Sequence, residues 1–283
     1  METIEYKDAK DFTNRVQLRG NLTKDPKVQP LGDTNIVKLS IAVSNDGKDD
    51  AGNKIERDPL YVDVDYWGQD GAEVAQFLRE GSPVAIEGTI CQQHWEDKQT
   101  GAKRSKEVVE SSSIREVIFT GEKAKAPSGF PTTVTFEDLR KQEFSSNAVW
   151  LVGNLTKDAE FRVTPTGKGV ASFSIGQNRQ VGQREVASFF EISSWDSETS
   201  KAEDVAKSLA RGEQAAVRGK LVLDKWEKDG KPRSKIKVTA FDVAKIAKSE
   251  RREQGQGQAQ GRQQMPPLPE RSAGTGAQSR GRG

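Results

Sequence analysis

The sequence predicts an all-β protein with short helices, built as two tandem five-stranded barrels and a disordered tail. Three observations predict it. Gly20-Asn21-Leu22-Thr23-Lys24-Asp25 returns letter for letter as Gly153-Asn154-Leu155-Thr156-Lys157-Asp158, 133 positions later. Around both copies, apolar and polar residues alternate with the period of two that marks half-buried strands. In both copies three such runs precede a short helical pattern, and two more strands follow it.

The first copy opens with Val16 and Leu18, which alternate with Arg15, Gln17 and Arg19. Gly20-Asn21 and Asp25-Pro26 are turn signals. In the second strand Val37, Leu39, Ile41 and Val43 alternate with Lys38, Ser40 and Ala42. Ser44 to Pro59 has the composition of a long exposed loop. A calcium loop there is excluded by its ligand spacing, because Arg57 stands where a closing Glu would follow Asp46. The third strand, Tyr61 to Trp67, places Val62, Val64 and Tyr66 on one face and Tyr61, Asp63, Asp65 and Trp67 on the other. Val74, Phe77 and Leu78 fall at helical spacing, and Gly81 suits a helix stop. Val84, Ile86, Gly88 and Ile90 line the fourth strand, and the fifth includes Lys106 to Val109. Three strands, a helix and two strands is the order of an OB-fold, a partly open Greek-key barrel.

The second copy repeats the plan. Val149 and Leu151 open it, and Ala171, Phe173 and Ile175 line its second strand. Phe189, Glu191, Ser193 and Trp195 form the outer face of the third, with Asn178–Ser188 as the loop before it. Val205 and Leu209 mark the helix, which stops at Gly212. Ala215, Val217, Gly219 and Leu221 line the fourth strand. If that strand continues without a bulge, Trp226 shares the face of Arg218 and Lys220, as Trp95 shares that of Glu87 and Thr89. Arg233, Lys235 and Lys237 alternate along the fifth strand. The predicted boundaries are an N-terminal extension at 1–13, barrels at 14–122 and 147–248, a linker with a short helix at 123–146, and a tail at 249–283. Phe136-Glu137-Asp138 echoes Tyr6-Lys7-Asp8, which suggests that the repeat starts before the barrel. The tail is Gly, Gln, Arg and Pro with few large apolar side chains. It cannot offset an ordering entropy of roughly 1–2 kcal/mol per residue. Its Met265-Pro266-Pro267-Leu268-Pro269 reads as spacer.

Composition narrows the function. The chain has 283 residues, one Cys (Cys91) and one His (His94). A disulfide framework, a multi-cysteine zinc site and His-based catalysis are therefore not expected, and neither a metal nor a cofactor is. There is no Gly-rich phosphate loop, no run long enough to span a membrane and no signal peptide, so a soluble cytoplasmic protein without enzymatic activity is expected. Cys91 reads as a small strand residue rather than a reactive thiol. The net charge of +2 divides unequally: residues 1–126 carry 18 Lys/Arg against 23 Asp/Glu, and residues 127–248 carry 20 against 16. A nucleic acid would be favoured by the second half.

Aromatic rings on otherwise polar sheet faces are costly to leave wet, and the bases of single-stranded nucleic acid can cover them while cations track the phosphates. The candidate site in the second copy is Phe189, Trp195 and Trp226 with Arg218, Lys220, Arg233, Lys235 and Lys237. In the first it is Tyr61, Trp67 and Trp95 with Lys103, Arg104 and Lys106. Trp150, whose counterpart is Gln17, reads as an interface or packing residue.

The chain resembles the bacterial and phage single-stranded DNA-binding proteins. The residues that carry this run from Val149 to Asp158, then Glu160-Phe161-Arg162, Gly169 to Ile175, Phe189 to Ile192, Trp195, Gly212, Val217-Arg218-Gly219 and Trp226. The resemblance covers about residues 14–120 and 147–247. It implies OB-folds that wrap single-stranded DNA in replication, recombination and repair. Tyr61, Trp67, Trp95, Phe189, Trp195 and Trp226 would be stacking residues, and a homodimer would present four OB-folds. Two features depart from the family. Neither loop before a third strand offers a stacking aromatic. The tail ends Ser279-Arg280-Gly281-Arg282-Gly283 rather than in the acidic tip that recruits replication and repair proteins. The competing readings are an OB-fold protein–protein assembly factor and a single-stranded RNA chaperone. The second barrel is expected to bind more strongly and the first to contribute more to assembly.

Overall fold

A computed structural model describes residues 1–4, 13–32, 34–48, 52–67, 71–118, 133–135, 140, 144–198, 200–228 and 230–247. The first copy comprises β1 (Glu2–Ile4), β2 (Asn14–Leu22), β3 (Lys27–Leu31), β4 (Thr34–Val43), β5 (Gly47–Lys48), β6 (Lys54–Ile55), β7 (Leu60–Tyr66), α1 (Gly71–Phe77), β8 (Pro83–Glu96) and β9 (Lys103–Ile118). The second comprises β10 (Thr133–Thr135), β11 (Asn147–Leu155), β12 (Glu160–Val163), β13 (Gly169–Val181), β14 (Arg184–Trp195), α2 (Ala202–Ser208), β15 (Gln214–Lys228) and β16 (Lys231–Ile246). The tail, and most of the helix expected between Thr135 and Ser146, lie outside the described residues.

Each copy closes on itself. β2 pairs with β4 and β8, β4 with β7, β7 in parallel with β9, and β9 with β8. β11, β13, β14, β16 and β15 close the second ring in the same order. This is the predicted five-stranded OB-fold, twice. The alternating apolar residues fill both interiors: Val16, Leu18, Ile41, Val64 and Ile86 in one, Val149, Leu151, Ile175, Ile192 and Leu221 in the other, all nearly fully buried. Each such side chain contributes roughly 1.5–3 kcal/mol. Val74 and Leu78 plug one barrel, Val205 and Leu209 the other.

The repeated hexapeptide sits where each ring closes. One edge of its strand changes neighbour there, from β11 up to Leu18 to β4 from Asn21, while the other edge stays on β8 through Asn21. A Cβ on Gly20 would lie 2.4 Å from the Ala42 carbonyl oxygen, so only glycine permits the approach. Asp25 Oδ1 accepts the Glu80 N–H at 2.8 Å, and Asp158 Oδ1 accepts that of Arg211 at 2.7 Å. Gly81 and Gly212, at φ +83° and +80°, donate to the carbonyls of Leu22 and Leu155. Each motif therefore ties its opening strand to the turn after its helix. Lys157 pairs with Glu160 at 2.6 Å.

The two barrels share one sheet, joined by antiparallel pairing of β2 with β11. Val16 faces Val149, its own counterpart in the repeat, so a local two-fold axis passes between them. Trp150 lies opposite Arg15, whose guanidinium carbon stands 5.6 Å from the ring centre. Trp150 thus packs at the joint. Arg179 forms an ion pair with Glu110 across the barrels, and Gln92 both donates to Glu107 at 3.0 Å and accepts the Phe189 N–H at 3.0 Å.

The repeat extends outside the barrels. β1 pairs in parallel with the end of β16, and β10 with the end of β9. Each copy's leading strand pairs with the end of the other copy's last strand. The stretch 123–146 was expected to be a linker from its polar composition. It contains β10 because Thr133-Val134-Thr135, with three β-branched residues, can extend the edge of β9. A second correction concerns Asn178–Ser188. It is a regular hairpin rather than a loop, turning in two residues at Gly182 (φ +59°), because Gln177 to Val181 pair continuously with Ser188 to Arg184. Edge strands β3 and β12 were not expected, since their residues are all exposed and show no alternation of burial.

Glu87 knots the joint, accepting from Arg15 Nε at 3.0 Å and from Gln17 at 3.2 Å, with Arg115 at 3.9 Å. Burial pushes its carboxyl up, but the bonds from Arg15 and Gln17 and the two arginine charges hold it below its ordinary value. A lowered folded-state value stabilises above the ordinary glutamate range and is lost as pH falls through it. Glu87→Gln is expected to melt below the unsubstituted protein at neutral pH. That gap should narrow as pH falls below the ordinary glutamate range and close only below the lowered folded-state value, as thermal melts over a descending pH series would register.

Candidate nucleic-acid interface

All six predicted stacking aromatics lie on the outside of their barrels. Tyr61 is 50 % exposed, Trp67 and Trp95 46 %, Phe189 46 %, Trp195 41 % and Trp226 42 %. Their positions follow from strand parity. In β14 the buried residues alternate with the outward ones, and in β7 they do so up to Asp65, which Lys38 and Gln93 cover; each strand thus carries a polar row with an aromatic at each end. In β8 and β15 the rings stand at the far ends of long hairpins. Trp95 is paired with Arg104 and Trp226 with Arg233, so each ring has a guanidinium as its cross-strand neighbour. Each ladder does carry a bulge, between Glu87/Gly88 and between Arg218/Gly219. The extra residue sits on β9 or β16, so β8 and β15 keep their alternation and Trp226 keeps the face of Arg218 and Lys220.

The predicted cations divide into two groups. Lys103 and Arg233 are exposed and make no ion pair within 4.0 Å among the described residues. The others are engaged. Lys106 pairs with Asp63 at 3.0 Å, Arg104 with Asp97 at 3.8 Å and Arg218 with Asp242 at 2.6 Å. Lys235 and Lys237 hold Glu191 at 2.9 and 3.1 Å, and Lys237 also meets Asp224 at 2.7 Å. Burial raises the Glu191 carboxyl, yet the two ammonium groups keep it below the ordinary range. Lys220 is half-buried and donates to Asn45 of the other barrel at 3.3 Å. Burial, then the charge of Arg57, lowers its pKa. The long hairpins therefore meet the opposite barrel. Lys225 pairs with Asp58 at 2.6 Å, and Trp95 shares a groove with Val181 and Val186.

Among the described residues no group of three or more His, Cys, Asp or Glu side chains could hold a metal. Cys91 is buried, and burial followed by the nearby Glu110 pushes its thiol up to about 12. No helix is long and apolar enough to cross a membrane.

The model of the single-strand binding protein family matches twice, at residues 13–117 and 146–246, in register with the two barrels. This chain belongs to the single-strand binding protein family. Among family relatives, a single-stranded DNA-binding protein from Thermus aquaticus is 30% identical over 235 residues, covering 81% of this chain and 82% of the relative. One from Deinococcus radiodurans is 28% identical over 249 residues, 83% of this chain and 76% of its own. The crystal structure of the wild-type Thermus aquaticus protein aligns with a TM-score of 0.60 at 25% identity, over 83% of this chain and 93% of that one.

Two features of this family member escaped the sequence reading. The ion pairs to Asp63 and Glu191 join strands far apart in the chain. Phe241, 52 % exposed, is the most exposed aromatic ring among the described residues. Its counterpart in the first copy is Ser112, so comparing the two copies gave no signal for it.

Proposed function

We propose that the chain binds single-stranded DNA without sequence preference, protecting it and keeping it unpaired in replication, recombination and repair. The observation that carries this is the set of six exposed rings at matching positions on the outer faces of both barrels. Bases stack on those rings while Lys and Arg side chains follow the phosphates, and no covalent step is involved. Two OB-folds at ~4–16 nucleotides each give a site of about 8–32 nucleotides per chain. Two chains assemble to present four barrels. The second barrel binds more tightly than the first, in keeping with the excess of Lys and Arg in residues 127–248.

Titrating the full chain with oligo-dT while following tryptophan fluorescence tests the reading. Quenching that weakens with added salt supports it, because phosphate contacts release counterions. Absence of quenching would instead indicate a protein-assembly role, and preference for oligo-U an RNA role. Within this reading, Glu191→Gln releases Lys235, leaves Lys237 with Asp224 alone and removes a negative charge. It is expected to tighten oligo-dT binding and to steepen the logarithmic salt slope by up to about 1. A lower affinity in the same titration would show that Glu191 instead positions the two lysines.

A further inference from the structure

We infer that the stacking surface of the second barrel continues past Trp195 onto Phe241, with Arg162 and Arg218 at its two ends. The inference rests on the single-stranded DNA reading above and adds residues to it. The sheet registers place five residues side by side across the second barrel. Arg162 pairs with Val170, and Val170 with Trp195. The parallel ladder ends at Ser194–Ala240, so Trp195 and Phe241 come next in register on adjacent strands. The bulge then sets Phe241 and Asp242 together against Arg218.

Facing follows from burial. Ala240 is in the core, whereas Phe241 is 52 % exposed and the Asp242 side chain 59 %, so the bulge turns two consecutive residues outward. The ring of Phe241 thus lies on the same outer face as Trp195. Asp242 pairs with Arg218 at 2.6 Å beside it. The row reads Arg, Val, Trp, Phe, Arg: two open rings beside the covered Val170, with the exposed Arg162 at one end and Arg218, paired to Asp242, at the other. This suits two neighbouring bases with phosphates on either side.

The first barrel is the internal comparison. The same registers give Gln29, Ile36, Trp67, Ser112 and Glu87. The tryptophan is kept, but the second ring is absent and both end cations are replaced, one of them by a carboxylate. A ring kept only to cover its own barrel would be equally useful in both copies, since the bulge is present in both.

The test is oligo-dT binding by the full chain, at a salt concentration where the unsubstituted protein has a measurable Kd. Phe241→Ala is expected to weaken binding about five-fold or more. Phe241→Tyr should bind as before, and Phe241→Trp should increase the fluorescence change on binding. Phe241→Leu keeps an apolar side chain without a π-face and should behave like Phe241→Ala. Unchanged affinity in Phe241→Ala overturns the inference, as does full retention in Phe241→Leu. So does a loss of affinity accompanied by a changed sedimentation coefficient, which would make Phe241 an assembly contact. If the unsubstituted chain does not bind oligo-dT, the underlying reading fails instead, and the two failures are told apart in one experiment.

Discussion

Trp226→Ala is expected to lower the affinity of the full chain for oligo-dT by about 1–3 kcal/mol, the range for one lost base stack. The ring is 42 % exposed at the outer end of the β15–β16 hairpin, and the exposed Arg233 is its cross-strand neighbour. Little of the barrel depends on it, so thermal stability should hold. Trp95→Ala, the matching change in the first barrel, should cost less. Its neighbour Arg104 is already engaged by Asp97, and Lys106 by Asp63, which leaves fewer uncompensated charges for a phosphate. A double comparison of the two variants at one salt concentration also tests the inequality of the barrels. Equal losses would remove it, and an unchanged affinity for Trp226→Ala would leave that ring with a role in covering the hairpin.

The second large effect is on stability. Gly20→Ala should destabilise the chain by about 3 kcal/mol, read from urea denaturation. The added Cβ would meet the Ala42 carbonyl oxygen at 2.4 Å and a Val43 methyl at 3.2 Å, with backbone on one side and core on the other. Neither can move without opening the ring of strands. Gly153→Ala should cost less. Its nearest atom, the Gly176 carbonyl oxygen, is 2.7 Å away, and the next is Cγ of the Gln177 side chain at 3.2 Å. If both substitutions proved neutral, the repeated motif would not owe its glycine to the closure of the barrel.

How far the sequence revealed this molecule depends on the range of the interaction. Alternation within a strand is local. Val62, Val64 and Tyr66 could be assigned to the core, and Tyr61 and Trp67 to the surface, from the order of residues alone. The bulges on β9 and β16 were not legible, because a bulge is a relation between two strands. Trp226 was placed correctly because the extra residue fell on the partner strand. The engagement of Lys235 and Lys237 by Glu191 was likewise invisible. It joins β14 to β16 across a parallel pairing that no local pattern encodes. The exchanged strands β1 and β10 gave only the faint echo at Tyr6 and Phe136, residues that fall outside those described.

The opposition of Val16 and Val149 has a consequence for how such a molecule can change over generations. Where two identical chains meet about a two-fold axis, every substitution appears on both sides at once. A surface change useful on one side must then be tolerated on the other. Here both sides of the axis are encoded separately in a single chain, so each can drift under its own selection. Ser112 and Phe241, Glu87 and Arg218, and Gln29 and Arg162 are paired positions at which the two halves have taken different courses. The valines that face each other across the axis and the closure glycines Gly20 and Gly153 are the same in both halves.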